Sequence, residues 1–183
     1  PEGWTGTRGD FTHASEMIEY FRSTYPMLDL AAAAYPEVHI ESKTPEEDVK
    51  YLKQKQDLGA SFFLTQLCHD VSAYEKLRER LQKNGVTIPV VIGLMPVLSR
   101  AGLIRMSLSN GCSIPAELAA ICGRYEKDEE SFKKAGIEFT IKLMESYIAA
   151  GVNGLHLYTL NRHEDILEIL NQIDLKAFRA ENK

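Results

Sequence analysis

The sequence lacks the features by which several large classes of protein are recognised. No apolar run approaches the roughly 20 residues that a helix needs to cross a bilayer, so no membrane-spanning segment is predicted. Neither a G-x-G-x-x-G motif nor a Walker lysine motif occurs, which disfavours a classical Rossmann dehydrogenase. Cysteine is scarce: there are three, without a Cys-x-x-Cys pair or a zinc-like spacing to histidine. That usage indicates reduced thiols, a cytoplasmic location and no metal site.

An excess of positive charge is also lacking. Lysine and arginine number 21 against 26 acidic residues, which gives a net charge of −5 and a pI of about 5.6. This balance argues against a nucleic acid or an anionic membrane as the main partner. A length of 183 residues, with 44% hydrophobic and 26% charged residues, is typical of one globular domain. We therefore predict a single domain over residues 1–183.

Short apolar segments alternate with longer amphipathic ones along the chain. Strands are predicted at 28–35, 61–66, 88–94 and 154–158. Helices are predicted at 14–24, 44–58, 71–84, 99–109, 115–124, 129–150 and 164–173. Such alternation predicts an α/β fold with a parallel sheet. Because a closed (β/α)₈ barrel needs eight strands, the sequence predicts either an open sheet or part of a barrel.

Polar side chains follow the predicted strands at their C-terminal ends. Tyr35 ends the first strand and His39 lies in the loop that follows it, Gln66 ends the second, and Arg162 follows the fourth. The ends of parallel strands share one edge of the sheet, where α/β folds bind their ligands. The residues alone leave two interpretations open at each position. Gln66 could bind a heterocycle or loop backbone, Arg162 a ligand carboxylate or nearby acids, and His39 a cofactor or its own loop.

Three side chains lie on one face of the predicted helix 44–58. Asp48, Tyr51 and Lys55 are separated by three and four residues, which places them on the same side of a helix. A polar face of this kind is most often a solvated flank. Taken by themselves, these residues favour that interpretation over a binding site.

Several motifs, in order and with similar spacing, resemble the methylenetetrahydrofolate reductase family. They lie at 33–39 (AAYPEVH), 52–60, 65–66 (TQ), 88–96, 114–115 (IP), 136–138 (GIE) and 154–162 (GLHLYTLNR). The resemblance extends from about residue 11 to residue 162. It implies a TIM-barrel-like (β/α)₈ fold that holds FAD at the C-terminal edge of its strands. In that family NADH or NADPH reduces the flavin, which passes hydride to methylenetetrahydrofolate.

The resemblance also implies roles for individual residues. Gln66 would face the pterin and the nicotinamide in turn, and Arg162 would hold the tail region of the folate substrate. The positions implied for contact with FAD are His13, Ala14, Tyr35, His39, Ser42, Asp48, Tyr51, Gln54 and Lys55. The helix face described above thus becomes a predicted part of the flavin site.

The sequence departs from the family pattern at several of these positions. Asparagine is usual where Tyr51 stands, arginine where Gln54 stands, and tyrosine where His13 stands. Gly102 and Met106 replace a glutamine and a phenylalanine that commonly flank the folate. Loss of an amide and a stacking ring should weaken folate binding by on the order of a few kcal/mol. The alternative function is a non-catalytic, barrel-derived binding or assembly subunit with an eroded folate site.

Residues 8–10 (Arg-Gly-Asp) resemble part of the family's Leu-Arg-Gly-Asp motif, but they lie too close to Ala14 to correspond to it. We therefore expect the chain to correspond to the C-terminal half of the barrel, about four βα units plus extra helices. Residues 1–13 would be a connecting loop from an N-terminal half that carries the catalytic acid. The isolated chain should be inactive, bind FAD weakly or not at all, and pair with that half or with itself as a homo-oligomer. NADH and NADPH are equally compatible with the sequence.

Overall fold

A computed structural model describes residues 11–175 of the chain. Within them lie seven helices and four strands. The strands are β1 (Ala31–Ala34), β2 (Phe62–Leu67), β3 (Val90–Leu94) and β4 (Gly154–Leu157). The helices are α1 (Ala14–Thr24), α2 (Pro45–Asp57), α3 (Val71–Lys83), α4 (Arg100–Asn110), α5 (Ala116–Arg124), α6 (Glu129–Ala149) and α7 (His163–Leu170). The predicted connecting loop 1–13 is described only from residue 11 onwards, and the motif at 8–10 lies outside the described residues.

The four strands form one parallel sheet in the order β1-β2-β3-β4. Helix α2 connects β1 to β2, α3 connects β2 to β3, and α4, α5 and α6 together connect β3 to β4. Each strand therefore pairs with the next along the chain, which is the order of strands in a segment of a (β/α)₈ barrel. The α/β prediction is confirmed, and the strand order is consistent with part of a barrel.

The core lies on one face of the sheet. Burial alternates along β2, where Phe63, Thr65 and Leu67 are buried and the residues between them are partly exposed. The buried side packs against helices through fully enclosed side chains such as Leu77 and Tyr147. The opposite face of β1 and β2 has no covering layer among residues 11–175. A barrel strand faces the interior on that side, so the open face corresponds to a barrel interior.

Strand β1 is shorter than predicted. Pairing with β2 runs from Ala31 to Ala34, whereas the apolar run suggested 28–35. Leu28 is 44% exposed because β1 lies at the edge of the sheet and no described strand pairs with its other side. The helices fall within a few residues of their predicted bounds, and none in residues 11–175 is long and apolar enough to cross a membrane.

A close helix contact fixes the loop that leaves β3. Gly136 of α6 lies against the backbone of Val97, where an added Cβ would come within 2.0 Å of the Val97 carbonyl oxygen. One turn further on, the buried Thr140 hydroxyl accepts a hydrogen bond from Val97 N (3.1 Å) and donates one to Gly136 O (2.7 Å). The absence of a side chain at Gly136 therefore sets how closely α6 approaches the end of β3.

Candidate functional site

Two rings meet where β1 ends. The Tyr35 and His39 rings are in edge-to-face contact, with centroids 4.4 Å apart. His39 Nδ1 accepts a hydrogen bond from Glu41 N (3.2 Å), so a neutral imidazole carries its proton on Nε2 and presents a donor there. Burial raises the pKa of the Tyr35 phenol, and the carboxylates of Asp48 and Glu41 raise it further. Both rings are half-buried, which leaves apolar ring surface open to a ligand.

Helix α2 adds charged groups to this pair of rings. Lys55 Nζ donates to Ala33 O (3.0 Å) at the end of β1, and no carboxylate in residues 11–175 forms an ion pair with it. Burial lowers the pKa of the Lys55 ammonium, and Asp48 opposes that effect. Asp48 is 5% exposed and accepts a hydrogen bond from Ser42 Oγ (3.1 Å). We call Tyr35, His39, Ser42, Asp48 and Lys55 the Tyr35 cluster.

The loop between β1 and α2 is held in a strained conformation. Val38 has φ of +77°, a region in which a β-branched residue is a genuine outlier, at a cost of about 1–3 kcal/mol. Its N–H donates to Tyr35 O (3.1 Å), which closes the turn. The neighbouring Glu37 carboxylate accepts from both the backbone N–H (2.6 Å) and the hydroxyl of Ser113, in the segment between α4 and α5. These contacts fix the loop that carries His39.

Gln66 lies at the end of β2 on the open face. Its Nε2 donates to Asn110 Oδ1 (3.0 Å), and its Oε1 accepts from Leu67 N (2.8 Å). The backbone contact that the sequence left open is thus present, while the side chain also lines the groove above β1 and β2. Tyr158 lines the same groove and donates its hydroxyl to Thr65 O (3.3 Å).

A second depression, the α4 cleft, lies between the loops after β3 and β4 and helix α4. It is open to solvent, and the space in and above it amounts to about 500 Å³. The lining residues are Met95, Pro96, Leu98, Ser99, Gly102, Leu103, Arg105, Met106, Tyr158, Thr159, Leu160 and Arg162. Arg162 is half-exposed and pairs with Asp165 (Nε to Oδ2, 3.2 Å), whose other oxygen contacts Lys133. Arg162 therefore forms an ion pair with a nearby acid and also lines a cleft that could hold a ligand.

Four of the predicted flavin positions are not part of the Tyr35 cluster. His13 and Ala14 are exposed at the start of α1, and no hydrogen bond from either to the Tyr35 cluster is present. Tyr51 is 50% exposed and Gln54 is exposed on α2. The structure therefore brings together five of the nine predicted flavin positions and leaves these four on the surface around them.

His69 is a buried imidazole just beyond β2. It is 4% exposed, and neither ring nitrogen has a hydrogen-bond partner in the described part of the chain. Burial lowers the pKa of His69, and the Glu37 carboxylate opposes that shift. The pKa in the folded state thus lies below the unfolded value of 6.5, so the unfolded protein binds the proton first as the pH falls.

We expect His69→Phe to reduce the acid sensitivity of the fold. As the pH falls below 6.5, His69 lowers the free energy of unfolding by up to about 1.4 kcal/mol per pH unit until its folded pKa is reached. The measurement is urea unfolding of wild type and variant between pH 8 and pH 5. The free energy of unfolding of the variant, relative to that of the wild type, should increase as the pH falls below 6.5. A difference that is constant across that range would contradict the prediction.

Two contacts of the site carry no sequence signal that could have revealed them. Asn110 at the end of α4 has the appearance of an ordinary helix terminus before Gly111. Ser113 lies 76 residues from Glu37. Tyr158 is the last residue of the predicted fourth strand, but its position between the open groove and the α4 cleft emerges only from the fold.

The chain is similar in sequence to proteins named as methylenetetrahydrofolate reductases. The family profile described as methylenetetrahydrofolate reductase matches residues 1–174. Methylenetetrahydrofolate reductase (NADH) 1 of Arabidopsis thaliana is 34% identical over 177 residues, covering 91% of this chain and 30% of that protein. The 5,10-methylenetetrahydrofolate reductase of Buchnera aphidicola is 32% identical over 148 residues, covering 81% of this chain and 51% of that protein. A Caenorhabditis elegans relative, 30% identical over 93% of this chain and 26% of its own length, is named as an NADPH enzyme. The chain thus spans less than a third of the plant and nematode relatives.

A solved structure supports the fold. A Clostridium thermocellum protein, described as binding two copies of 5-methyl-5,6,7,8-tetrahydrofolic acid, superposes with a TM-score of 0.58 at 18% identity. The match covers 92% of this chain and 57% of that one. At this level of identity the likeness is one of fold.

Proposed function

Because the chain belongs to the methylenetetrahydrofolate reductase family, we propose that it provides one side of the flavin and folate sites of a reductase barrel. The observation that carries this proposal is the Tyr35 cluster at the end of β1, on the same edge of the sheet as Gln66 and Arg162. Ring surface, a cation and hydrogen-bonding groups are the features that an aromatic, phosphorylated cofactor requires. The free thiols of the chain accord with a cytoplasmic enzyme.

The Tyr35 cluster fits FAD in its chemistry. Lys55 is a half-buried ammonium without an ion-pair partner in residues 11–175, and it uses one of its three hydrogens on Ala33 O. The remaining hydrogens are available to a phosphate oxygen. Tyr35 and His39 would contact the cofactor through ring faces and the His39 Nε2–H. When bound, FAD supplies the relay that takes hydride from NADH or NADPH and gives it to methylenetetrahydrofolate.

The folate substrate would occupy the open groove and the adjoining α4 cleft. Gln66 lines the groove, Arg162 lines the cleft, and Tyr158 lines both, so one elongated ligand could contact all three side chains. The amide of Gln66 suits a heterocycle edge, and the guanidinium of Arg162 suits a carboxylate. A partner that binds Arg162 must share it with Asp165 or displace that carboxylate.

The sheet requires further strands to form a barrel. β1 and β4 each have one edge without a partner in the described residues, and the open face of β1 and β2 exposes apolar groups such as Leu64. Unpaired strand edges and an open apolar face favour association with other strands. We propose that further βα units, from an N-terminal half of the barrel or from a second copy, close the site. By itself the chain would be inactive and hold FAD weakly.

Complementation tests this proposal. The chain is purified alone and also co-expressed with the part of the Buchnera relative that lies outside its matched region. Gel filtration is followed by a flavin spectrum and an NAD(P)H–menadione oxidoreductase assay. We expect flavin and activity only in the complemented sample. A flavin spectrum retained by the chain alone would contradict its incompleteness, and a complemented sample that lacks both signals would contradict the reductase function.

A non-catalytic binding or assembly subunit is the second candidate. The specific observation in its favour is that Gly102 and Met106 both line the α4 cleft with Arg162. A side chain at position 102 would lie 2.6 Å from Ser99 Oγ, which accepts the Gly102 N–H and caps α4, so the cap would have to move. Retention of flavin by the complemented barrel without reduction of methylenetetrahydrofolate would favour this candidate.

A further inference from the structure

The amide of Gln66 is fixed by a residue from a distant part of the chain. Asn110, 44 positions further on and last in α4, accepts a hydrogen bond from Gln66 Nε2 through its Oδ1 (3.0 Å). Asn110 is itself fixed, because its Nδ2 donates to Met106 O (2.8 Å) one turn earlier in the helix. Gln66 Oε1 meanwhile accepts from Leu67 N (2.8 Å). All of these distances are those of well-formed hydrogen bonds.

The polarity of the two backbone groups determines the orientation of both amides. A carbonyl oxygen such as Met106 O only accepts, so Asn110 must turn its NH₂ group towards it and its oxygen towards Gln66. A backbone N–H such as that of Leu67 only donates, so Gln66 must turn its oxygen towards it and its NH₂ group towards Asn110. Reversal of either amide would place donor against donor or acceptor against acceptor. The three hydrogen bonds that link Met106 O, Asn110, Gln66 and Leu67 N are therefore compatible with only one orientation of each amide.

We propose that Asn110 is a positioning residue that presents the Gln66 amide to the heterocycle of the ligand in a single orientation. This inference rests on the proposed function, in which Gln66 contacts the pterin. After the internal hydrogen bonds are formed, Gln66 retains one amide hydrogen and one oxygen lone pair. A free donor and a free acceptor on one amide are the groups that the amide edge of a pterin, with its own donor and acceptor, requires. An unrestrained amide would pay rotational entropy and could present the wrong edge.

The chain offers a matched control for Asn110. Asn84 follows α3 and donates its Nδ2 to Arg80 O (2.8 Å), the same hydrogen bond to the carbonyl four residues earlier. No site residue contacts the side chain of Asn84, which is exposed. Asn84→Leu therefore reports the cost of losing a helix-terminal hydrogen bond alone. Asn110→Leu removes that bond together with the contact to Gln66, whereas Asn110→Asp keeps an oxygen for Gln66 and loses only the bond to Met106 O.

The first measurement needs no ligand. In the ¹⁵N-labelled protein, the side-chain NH₂ of Gln66, assigned by the loss of its signals in Gln66→Leu, should show slowed hydrogen exchange. We expect Asn110→Leu to collapse this protection, Asn110→Asp to retain part of it, and Asn84→Leu to leave it unchanged. Protection that persists in Asn110→Leu would overturn the inference, whether or not the proposed function holds.

The second measurement is titration with 5-methyltetrahydrofolate, followed in the complemented barrel. We expect Asn110→Leu to weaken binding by about tenfold, the scale of one lost hydrogen bond, and Asn110→Asp to recover part of that loss. In a Gln66→Leu background, Asn110→Leu should have no further effect, because it acts through Gln66. Additive effects of the two substitutions would overturn the inference. Absence of binding to the wild-type barrel would instead overturn the proposed function, and the NMR result would still decide the role of Asn110.

Discussion

Gly136→Ala should destabilise the protein by about 3 kcal/mol, at the upper end of the cost of overpacking a core. The new Cβ would lie 2.0 Å from Val97 O and 2.9 Å from Val97 Cγ1. The first of these is a backbone atom, so the strain cannot be relieved by rotating a side chain. Helix α6 must move away from the end of β3, and the two hydrogen bonds of the Thr140 hydroxyl would then lengthen.

Gly123→Ala is the matched control for this substitution. Gly123 lies in the last turn of α5 and Gly136 well inside α6, but both have helical backbone, and an added Cβ at position 123 would meet no atom within 4 Å. Because alanine is the better helix former, we expect the control to gain about 0.5–1 kcal/mol. Urea unfolding followed by circular dichroism compares the two variants. A loss below 1 kcal/mol in Gly136→Ala would show that α6 can shift without consequence.

The same contact links stability to ligand binding. Val97 lies between Met95 and Leu98, and both of these line the α4 cleft. A displaced α6 would therefore alter the cleft in which Arg162 lies. On the proposed function, we expect any folded fraction of Gly136→Ala in the complemented barrel to lose affinity for 5-methyltetrahydrofolate along with stability, whereas Gly123→Ala should match the wild-type barrel.

The sequence predicted the fold well where local patterns decide it. Alternating apolar and amphipathic segments identified every strand and helix of the described residues, because each signal lies within a window of a few turns. The extent of β1 was overestimated, since its apolar run continues beyond the residues for which β2 offers a partner. The length of an edge strand depends on its neighbour, and one strand's own sequence does not contain that information.

The site was predictable to the extent that strand ends determine it. Tyr35 and Gln66 could be placed on one edge from parallel topology alone, and the contact between Tyr35 and His39 agrees with that placement. The hydrogen bond between Gln66 and Asn110 could not be inferred, because the approach of α4 to β2 depends on packing across the whole domain. Side-chain contacts between distant segments follow from tertiary geometry, for which periodicity and propensity provide no signal.

Lys55→Met should weaken FAD binding by about 2 kcal/mol, roughly 30-fold in Kd, which is the usual scale of a hydrogen bond to a charged group. This expectation rests on the proposed cofactor. Methionine keeps most of the stem of the lysine and removes the ammonium that contacts Ala33 O beside the Tyr35 cluster. Because burial already lowers the pKa of Lys55, a phosphate would stabilise its charged form, and bound FAD should raise that pKa.

Lys53→Met is the control, since it removes the same charge from the same helix. Lys53 forms an ion pair with Asp57 at i,i+4 and has no contact with the Tyr35 cluster. Titration of FAD into the complemented barrel, followed by quenching of flavin fluorescence, measures both variants at two salt concentrations. We expect Lys53→Met to change Kd by less than about twofold, because exposed charges are strongly screened. Equal losses in the two variants would mean that Lys55 acts only through net charge, and the Tyr35 cluster would then not be the phosphate-binding side of the flavin site.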